Sequence, residues 1–359
     1  MVFETIIPHF APSMFYIHHM SCISPQQTFG KVDIESLNES PNGKLHAAEP
    51  SYEGIPNSIL RRMGKAIRLG VGAGVPLLRS AMVDGIIIGT GNGGMEDCIK
   101  FLNQIIDYNE GMLTPTNFVQ STTNAIAAQI GLLASNKSYN TTHVHRGLAF
   151  ENALLDAAML LKENTDAHYL VGGVDEISAY NYNIDNLAGW FKKETLSSKD
   201  LYNPLSEGSI AGEGAAMFVV GGKKENAIAK VTGLQLLHTE DPKLVIEQLN
   251  RFLEKHLEKE EQVDLFLSGE DGDCRLAHYY AACEKVLVQQ GAKVARFKHM
   301  MGEYATVSAA ALWLACYIVE SKKLPVHLLK SQNGQPNCNR ILIYNSHKGA
   351  QHRFILLEK

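Results

Sequence analysis

From residue 59 to the C-terminus, short β-branched apolar runs alternate with helical segments, and that alternation limits the folds open to this chain. Residues 83–89, 139–145, 168–172 and 215–220 read as strands, several too short and too apolar to be anything but buried. Between and before them, 59–80, 95–108, 120–134 and 148–162 read as helices. The remainder repeats the style, with strands at 227–237, 263–268, 292–297, 340–345 and 353–357 and helices at 243–259, 275–290 and 304–320. In the last of these helices Ala305, Ala309, Leu312, Cys316 and Val319 fall on one face. Parallel strands need long crossovers and cover on both faces, and helices supply both. The pattern therefore predicts an α/β chain of mostly parallel sheets packed between helices.

A length of 359 residues suits one large α/β domain or two similar halves. The Gly221-Gly222-Lys223-Lys224 stretch is a natural seam, which divides the chain into 1–222 and 223–359 within one compact unit. With 45% hydrophobic and 20% charged residues, the composition is that of a globular protein able to bury a large core. The net charge of −5, with no basic block, leaves no footprint for nucleic acid or an anionic membrane. Six cysteines show neither disulfide nor metal spacing, and reduced thiols in a cytoplasmic protein are the simple reading. Residues 1–20 carry Glu4, Pro8, Pro12 and three histidines, which is not a signal-peptide pattern, and no apolar run approaches membrane-spanning length.

Several clusters are candidates for chemistry. Gly89-Thr90-Gly91-Asn92-Gly93-Gly94 satisfies GxGxxG between a strand and a helix, a place where backbone amides can meet a phosphate. The acidic residue that closes a dinucleotide fingerprint about 20 residues on is missing. A tight helix–sheet turn is the simpler reading. His143 and His145 share one face of a strand and could begin a metal site, but no further ligands can be named. Asp175, Glu176, Glu207, Glu213 and Glu303 are raw material for acid/base pairs, although single carboxylates beside glycine turns are ordinarily structural. Asp271-Gly272-Asp273 is a turn by composition.

Four segments, in order, resemble motifs of the β-ketoacyl synthase family of the thiolase superfamily. Val171-Gly172-Gly173-Val174-Asp175-Glu176 resembles its "aGGxE" strand end. Asn203-Pro204-Leu205-Ser206 with Gly212-Glu213-Gly214-Ala215-Ala216 resembles "PFD…GEGAa". Residues 117–130 resemble the segment before the nucleophile strand, and Lys298 through Gly302 to Ala311 resembles "vKs.lGH…aaG". The resemblance implies a duplicated five-layer αβαβα thiolase-like sandwich that dimerises. It also implies the catalytic slots. The family's nucleophilic cysteine sits at a strand–helix turn that maps to 143–147. Spacing from Gly172 puts the slot at Gly147, and matching the following glycine puts it at Val144. No cysteine occurs between Cys98 and Cys274. Ser268 stands at the first family histidine, Glu303 at the second, and the closing glycine-rich loop reduces to Asn345-Ser346-His347-Lys348-Gly349-Ala350.

The resemblance thus implies a vestigial pocket of Val144, His145, Gly147, Ser268, Lys298, Glu303 and Gly349, with Phe118 and Phe150 as candidate tunnel residues. A carboxylate at 303 opposes a developing enolate. The implied role is a non-condensing, chain-length-factor-type subunit of a fatty-acid- or polyketide-type system such as one making polyene or resorcinol pigments. Its partners would be a ketosynthase of the same fold, or a second copy of itself, and an acyl carrier protein, with no cofactor, metal, nucleic acid or membrane. Two alternatives stay open. One is altered acyl-transfer or hydrolytic chemistry built from His143, His145, Arg146, Glu303 and His347. The other is a stand-alone acyl-binding homodimer.

Overall fold

The computed structural model describes residues 15–40, 42–203, 206–331 and 338–359. In chain order the first part holds β1 (Phe15–Ile23), β2 (Lys44–Leu45), α1 (Asn57–Leu60), α2 (Lys65–Ser80), β3 (Gly85–Thr90), α3 (Met95–Asp107), α4 (Pro115–Gln120), α5 (Ala125–Leu133), β4 (Tyr139–Val144), α6 (Ala149–Glu163), β5 (His168–Asp175), α7 (Ala179–Leu187), β6 (Ala211–Gly212) and β7 (Gly214–Gly221). The second holds β8 (Ala229–His238), α8 (Pro242–His256), β9 (Leu265–Ser268), α9 (Ala277–Gln289), β10 (Lys293–Arg296), α10 (Lys298–Met301), α11 (Val307–Ser321), β11 (Arg340–His347) and β12 (Gln351–Glu358). No helix among the described residues is long and apolar enough to cross a membrane.

Strand pairing follows one plan twice. In the first part β3 lies parallel to β4 and β5, β7 runs antiparallel to β5, and β1 antiparallel to β7. In the second, β9 lies parallel to β10 and β11, β12 runs antiparallel to β11, and β8 antiparallel to β12. The repetition is the reason to propose 1–222 and 223–359 as two halves of one unit. The resemblance implies a duplicated sandwich, and each half here contributes five strands. The halves join edge to edge, where Phe15, Tyr16 and Ile17 of β1 pair with Val231, Lys230 and Ala229 of β8, giving one sheet of ten strands.

The side-chain period of two sorts each strand between layers. Ile87 of β3, Phe218 of β7, Leu265 of β9, Ile343 of β11 and Ile355 of β12 face a shared central core. Their neighbours Ile86, Ile88, Met217 and Val219 face α2 and α5, while Phe266, Leu342, Phe354 and Leu356 face α8 and α9. Between the half-sheets lie α6 and α11, each packed on strands of both halves. Helix α11 is apolar almost all round, as a helix enclosed on every side must be. These are the five layers, helix–sheet–helix–sheet–helix, that the resemblance implies.

Three helix expectations need correction, each for a local reason. Residues 59–80 form two helices, because α2 starts afresh at Lys65, where Glu176 accepts from Ala66 N at 2.9 Å. Residues 120–134 break at 121–124, where the Ser121 and Thr122 hydroxyls turn back to the Phe118 and Val119 carbonyls at 2.7 and 2.8 Å. Helix α11 begins at Val307 rather than 304, because Thr306 gives both its N–H and its hydroxyl to Asp175. Of the N-terminal reading, residues 1–14 lie outside the described residues, and Phe15–Met20 belongs to β1. Pro41, Pro204 and Leu205 likewise lie outside them.

Candidate functional site

The two central helices start close together, and the turns feeding them build the site. Ahead of α6 the chain leaves β4, and Arg146 takes a left-handed backbone at φ 46°. A non-glycine residue there costs about 1–3 kcal/mol and marks a sharp elbow. Gly147 follows, buried, its N–H donating to Gln351 Oε1 at 2.9 Å. A side chain at 147 has no room: a Cβ there would overlap His347 Cβ and Cγ and sit 2.9 Å from its Cδ2. The imidazole of His347 fills the space in front of the elbow.

Ahead of α11 the chain leaves β10 through α10, turns at Gly302 (φ 73°) and presents Glu303. Gly302 lies back to back with Gly212, too close for a Cβ on either. Lys298 is fully buried, and its Nζ pairs with Glu303 Oε2. The other oxygen, Oε1, lies 3.4 Å from His347 Nδ1. Burial lowers the Lys298 pKa and raises that of Asp271, whose carboxylate lies near it. Burial, then the cations Arg353, Lys348, Lys298 and Arg146, hold the His347 pKa well below that of a free imidazole. Behind His347, buried Arg353 pairs with buried Glu151 at 3.3 Å, and Glu151 accepts from Ser308 of α11. His347 and Glu303 open on a cleft of about 140 Å³ lined also by Arg146, Asp271, Tyr182, Trp190 and Phe191.

The structure brings Gly147, Lys298 and Glu303 into one cluster around His347. Ser268 is buried at the end of β9, in register with Arg296 and Tyr344, and its hydroxyl accepts from Glu270 N at 3.3 Å. Val144 and His145 are exposed and do not line the cleft, and His145 is bonded to Asn152 at 2.8 Å. Gly349 (φ 69°) is the second left-handed residue of the tight Lys348-Gly349 turn between β11 and β12, packed on Leu276 and Tyr279. Phe118 is 58% exposed, edge-on to Phe101, and Phe150 is sealed in the central core 6.0 Å from Phe218; neither lines the cleft. Sequence reasoning missed Gln351, Arg353 and Glu151. Arg353 alternates with the buried Ile355 and Leu357, so a polar residue on the inward face of β12 was the available signal.

The other candidates resolve as structure. Asp175 accepts from Gly91 N at 2.8 Å and Thr90 Oγ1 at 3.2 Å, so a carboxylate of the protein occupies the amide-lined loop offered to a phosphate. Glu213 accepts from Ala47 N and Ile177 N at 2.8 and 2.7 Å and pairs with Lys65. Glu176 lines the cleft, its pKa pushed up to about 7 by burial. His143 lies 3.0 Å from Asp156 of α6, and no group of three ligand-type side chains among the described residues could hold a metal ion.

Residues 36–186 match the family model of the β-ketoacyl synthase N-terminal domain. That stretch is similar to the β-ketoacyl synthase N-terminal domain. The fold of the chain is shared with the ishigamide ketosynthase/chain length factor at TM-score 0.74 and 14% identity, over 96% of this chain and 99% of that one. A ketosynthase in complex with its chain length factor from Xenorhabdus doucetiae aligns at TM-score 0.75 and 12% identity, over 96% and 98%. A β-ketoacyl synthase from Burkholderia phymatum STM815 aligns at TM-score 0.74 and 13% identity, over 96% and 99%. At these identities the structural likeness speaks for the fold. Comparison with curated proteins finds no match. Within this ketosynthase-like fold the elbow carries Gly147, and the imidazole of His347 stands in front of it.

Proposed function

We propose that this chain is a non-condensing, chain-length-factor-type subunit that pairs with a cysteine-bearing ketosynthase and shapes that partner's acyl pocket. One observation carries the reading: neither residue offered for the nucleophile slot, Val144 or Gly147, can hold an acyl group, and Gly147 is hemmed in by His347 with its amide taken by Gln351. Condensation needs a thiolate to hold the acyl group, and an elbow amide engaged by a side chain is not free to serve an oxyanion. Glu303, paired to Lys298, puts a carboxylate where the family polarises a thioester carbonyl.

The open edge of the sheet supports a partner. Strand β4 is an edge strand, and it and the segment leading to it expose Ile106, Met112, Phe118, Leu132, Tyr139 and Val144. A sheet edge flanked by exposed apolar side chains is a template for a second chain. Similar structures are described as a ketosynthase with its chain length factor and as a ketosynthase with an acyl carrier protein, so we assign both kinds of partner here. A polyene- or resorcinol-type product and a cytoplasmic location complete the proposal. Phe118 belongs to the partner-facing surface in this reading rather than to a tunnel of its own protomer.

Co-expression with a cysteine-bearing ketosynthase tests it. The expected result is a one-to-one heterodimer on size-exclusion chromatography. A chain that stays a stable homodimer in the presence of every candidate partner favours the acyl-binding homodimer instead.

A further inference from the structure

The cleft holds an orientation chain of three residues that a purely passive subunit does not need. Lys298, fully buried, fixes Glu303 through one carboxylate oxygen. The other oxygen lies 3.4 Å from His347 Nδ1. Gly147 closes against the opposite side of the ring, and its lack of a side chain is what admits the imidazole. A carboxylate at Nδ1 selects the tautomer with the proton there and leaves Nε2 with a lone pair. That nitrogen has no hydrogen-bonding partner among the described residues, and His347 lines the cleft. An imidazole fixed by a carboxylate, itself fixed by a third group, is the arrangement that makes histidine an effective general base.

We propose that His347, held by Glu303 and Lys298, is a general base that activates water in this cleft to hydrolyse an acyl thioester. The acyl-thioester class rests on the ketosynthase-like reading, whereas the base rests on the geometry of the three residues alone. In the reaction, Nε2 takes a proton from water as the water oxygen bonds to the thioester carbonyl carbon. The tetrahedral adduct then collapses, the C–S bond breaks, and the leaving sulfur takes the proton back from the imidazolium. The products are one carboxylic acid and one thiol, with no oxidant or cofactor consumed.

Electrostatics keep the ring in its proton-accepting form while lowering its basicity. Burial and the surrounding Arg353, Lys348, Lys298 and Arg146 keep the ring neutral near pH 7, with Glu303 the carboxylate against it. A neutral imidazole is the form that accepts a proton. Tyr182, Trp190 and Phe191 line the same cleft and offer an acyl group aromatic surface. On this account Glu303 is a positioning residue, acting through the imidazole rather than on the substrate.

The full chain is assayed with acetyl, butyryl and octanoyl thioesters of N-acetylcysteamine, reading thiol release by a chromogenic reagent and free acid by mass spectrometry. The expected result is release of acid and thiol that falls by about 10²-fold or more in His347→Gln. Glu303→Gln is expected to lose about 10-fold, with KM unchanged and the acidic limb of the pH–rate profile moved to lower pH, since removing a carboxylate favours the neutral ring. A merely structural role for Glu303 would not move that limb. Circular dichroism and thermal melting check that both variants fold. Thiol release that is absent from the wild-type chain, or unchanged in both variants, overturns the proposal. Free acid reports on this inference and a β-keto product on the partner-subunit reading, so either can fail alone.

Discussion

The two halves share one pairing plan and diverge at two equivalent places. The first is the outer edge of the third strand. Strand β4 is open, whereas β10 is covered: Leu329 bridges Ala295, and Lys330 N donates to Val294 O at 2.9 Å. The covering segment is tied down by a chain of hydrogen-bonded rings. His327 Nε2 donates to Ile34 O at 2.8 Å, His299 Nε2 donates to His327 Nδ1 at 2.9 Å, and Tyr202 reaches His299 Nδ1 at 3.4 Å. Exposed large hydrophobics follow the same asymmetry. They crowd the stretch before and along β4, and after residue 222 only Val288 and Val326 qualify among the described residues. A duplicated fold has one edge closed within the chain and the other open.

The second place is the end of the fourth strand. Strand β5 ends in Asp175, which crosses the seam to hold Thr306 at the start of α11. Strand β11 ends in His347, which crosses the other way to meet Gly147 ahead of α6. One end residue is a strap saturated with donors, and the other is loosely bonded and faces a cleft. Structure and chemistry have been divided between two equivalent positions.

The largest expected effect breaks the strap. Asp175→Ala leaves the buried donors of Gly91, Thr90 and Thr306 without an acceptor, and should cost about 3–5 kcal/mol in denaturant unfolding. The matching change at the other strand end, His347→Gln, should cost about 1 kcal/mol. Equal losses would erase the distinction between the two ends.

Next comes the edge. Leu132→Lys with Val144→Lys, both at exposed positions on the open side, should weaken ketosynthase binding by about 30-fold or more, measured by calorimetry. Val288→Lys on the closed half should change affinity by less than about 2-fold.

Acid should loosen the closed edge. The His299 pKa is lowered to about 3, by burial first and then by His327 and Arg296. A depressed histidine gives stability that is complete above the unfolded pKa of 6.5 and is lost as pH falls from there toward 3. The loss at pH 5 is about 2 kcal/mol, and His299→Gln should flatten that part of the stability–pH curve.

The smallest effect is a coupling at the elbow. Gly147→Ala should cost about 1–3 kcal/mol through overlap with His347, and adding His347→Gly should recover about 1 kcal/mol of it in a double-mutant cycle.

Much of this architecture is legible in the sequence, because buried strands such as β3, β5 and β7 are short runs of apolar residues whose length and bounding glycines exclude helix. Strand β1 escapes reading because its register shifts between Ile17 and His19, which breaks the alternation, and because His18 and His19 interrupt its apolar run. Helix α7 escapes because its tyrosines and asparagines give a weak apolar stripe over the cleft. In the site, the missing cysteine and the Lys298–Glu303 pair are readable from motif order. The seating of His347 on Gly147 is not, since contact between residues so distant in sequence depends on how the β11–β12 hairpin docks on the elbow. Asp175 shows the opposite limit. Its motif is legible, but only the fold distinguishes a catalytic carboxylate from a strap.

The most direct measurement of the central claim is mass spectrometry of the products made from acyl and malonyl carrier proteins by the chain alone, by a cysteine-bearing ketosynthase alone, and by the two together. The expected result is no β-ketoacyl product from the chain alone, and extended products of defined length only when both are present. A β-ketoacyl product from the purified chain alone, with an acyl adduct trapped on one of its own side chains, would contradict it.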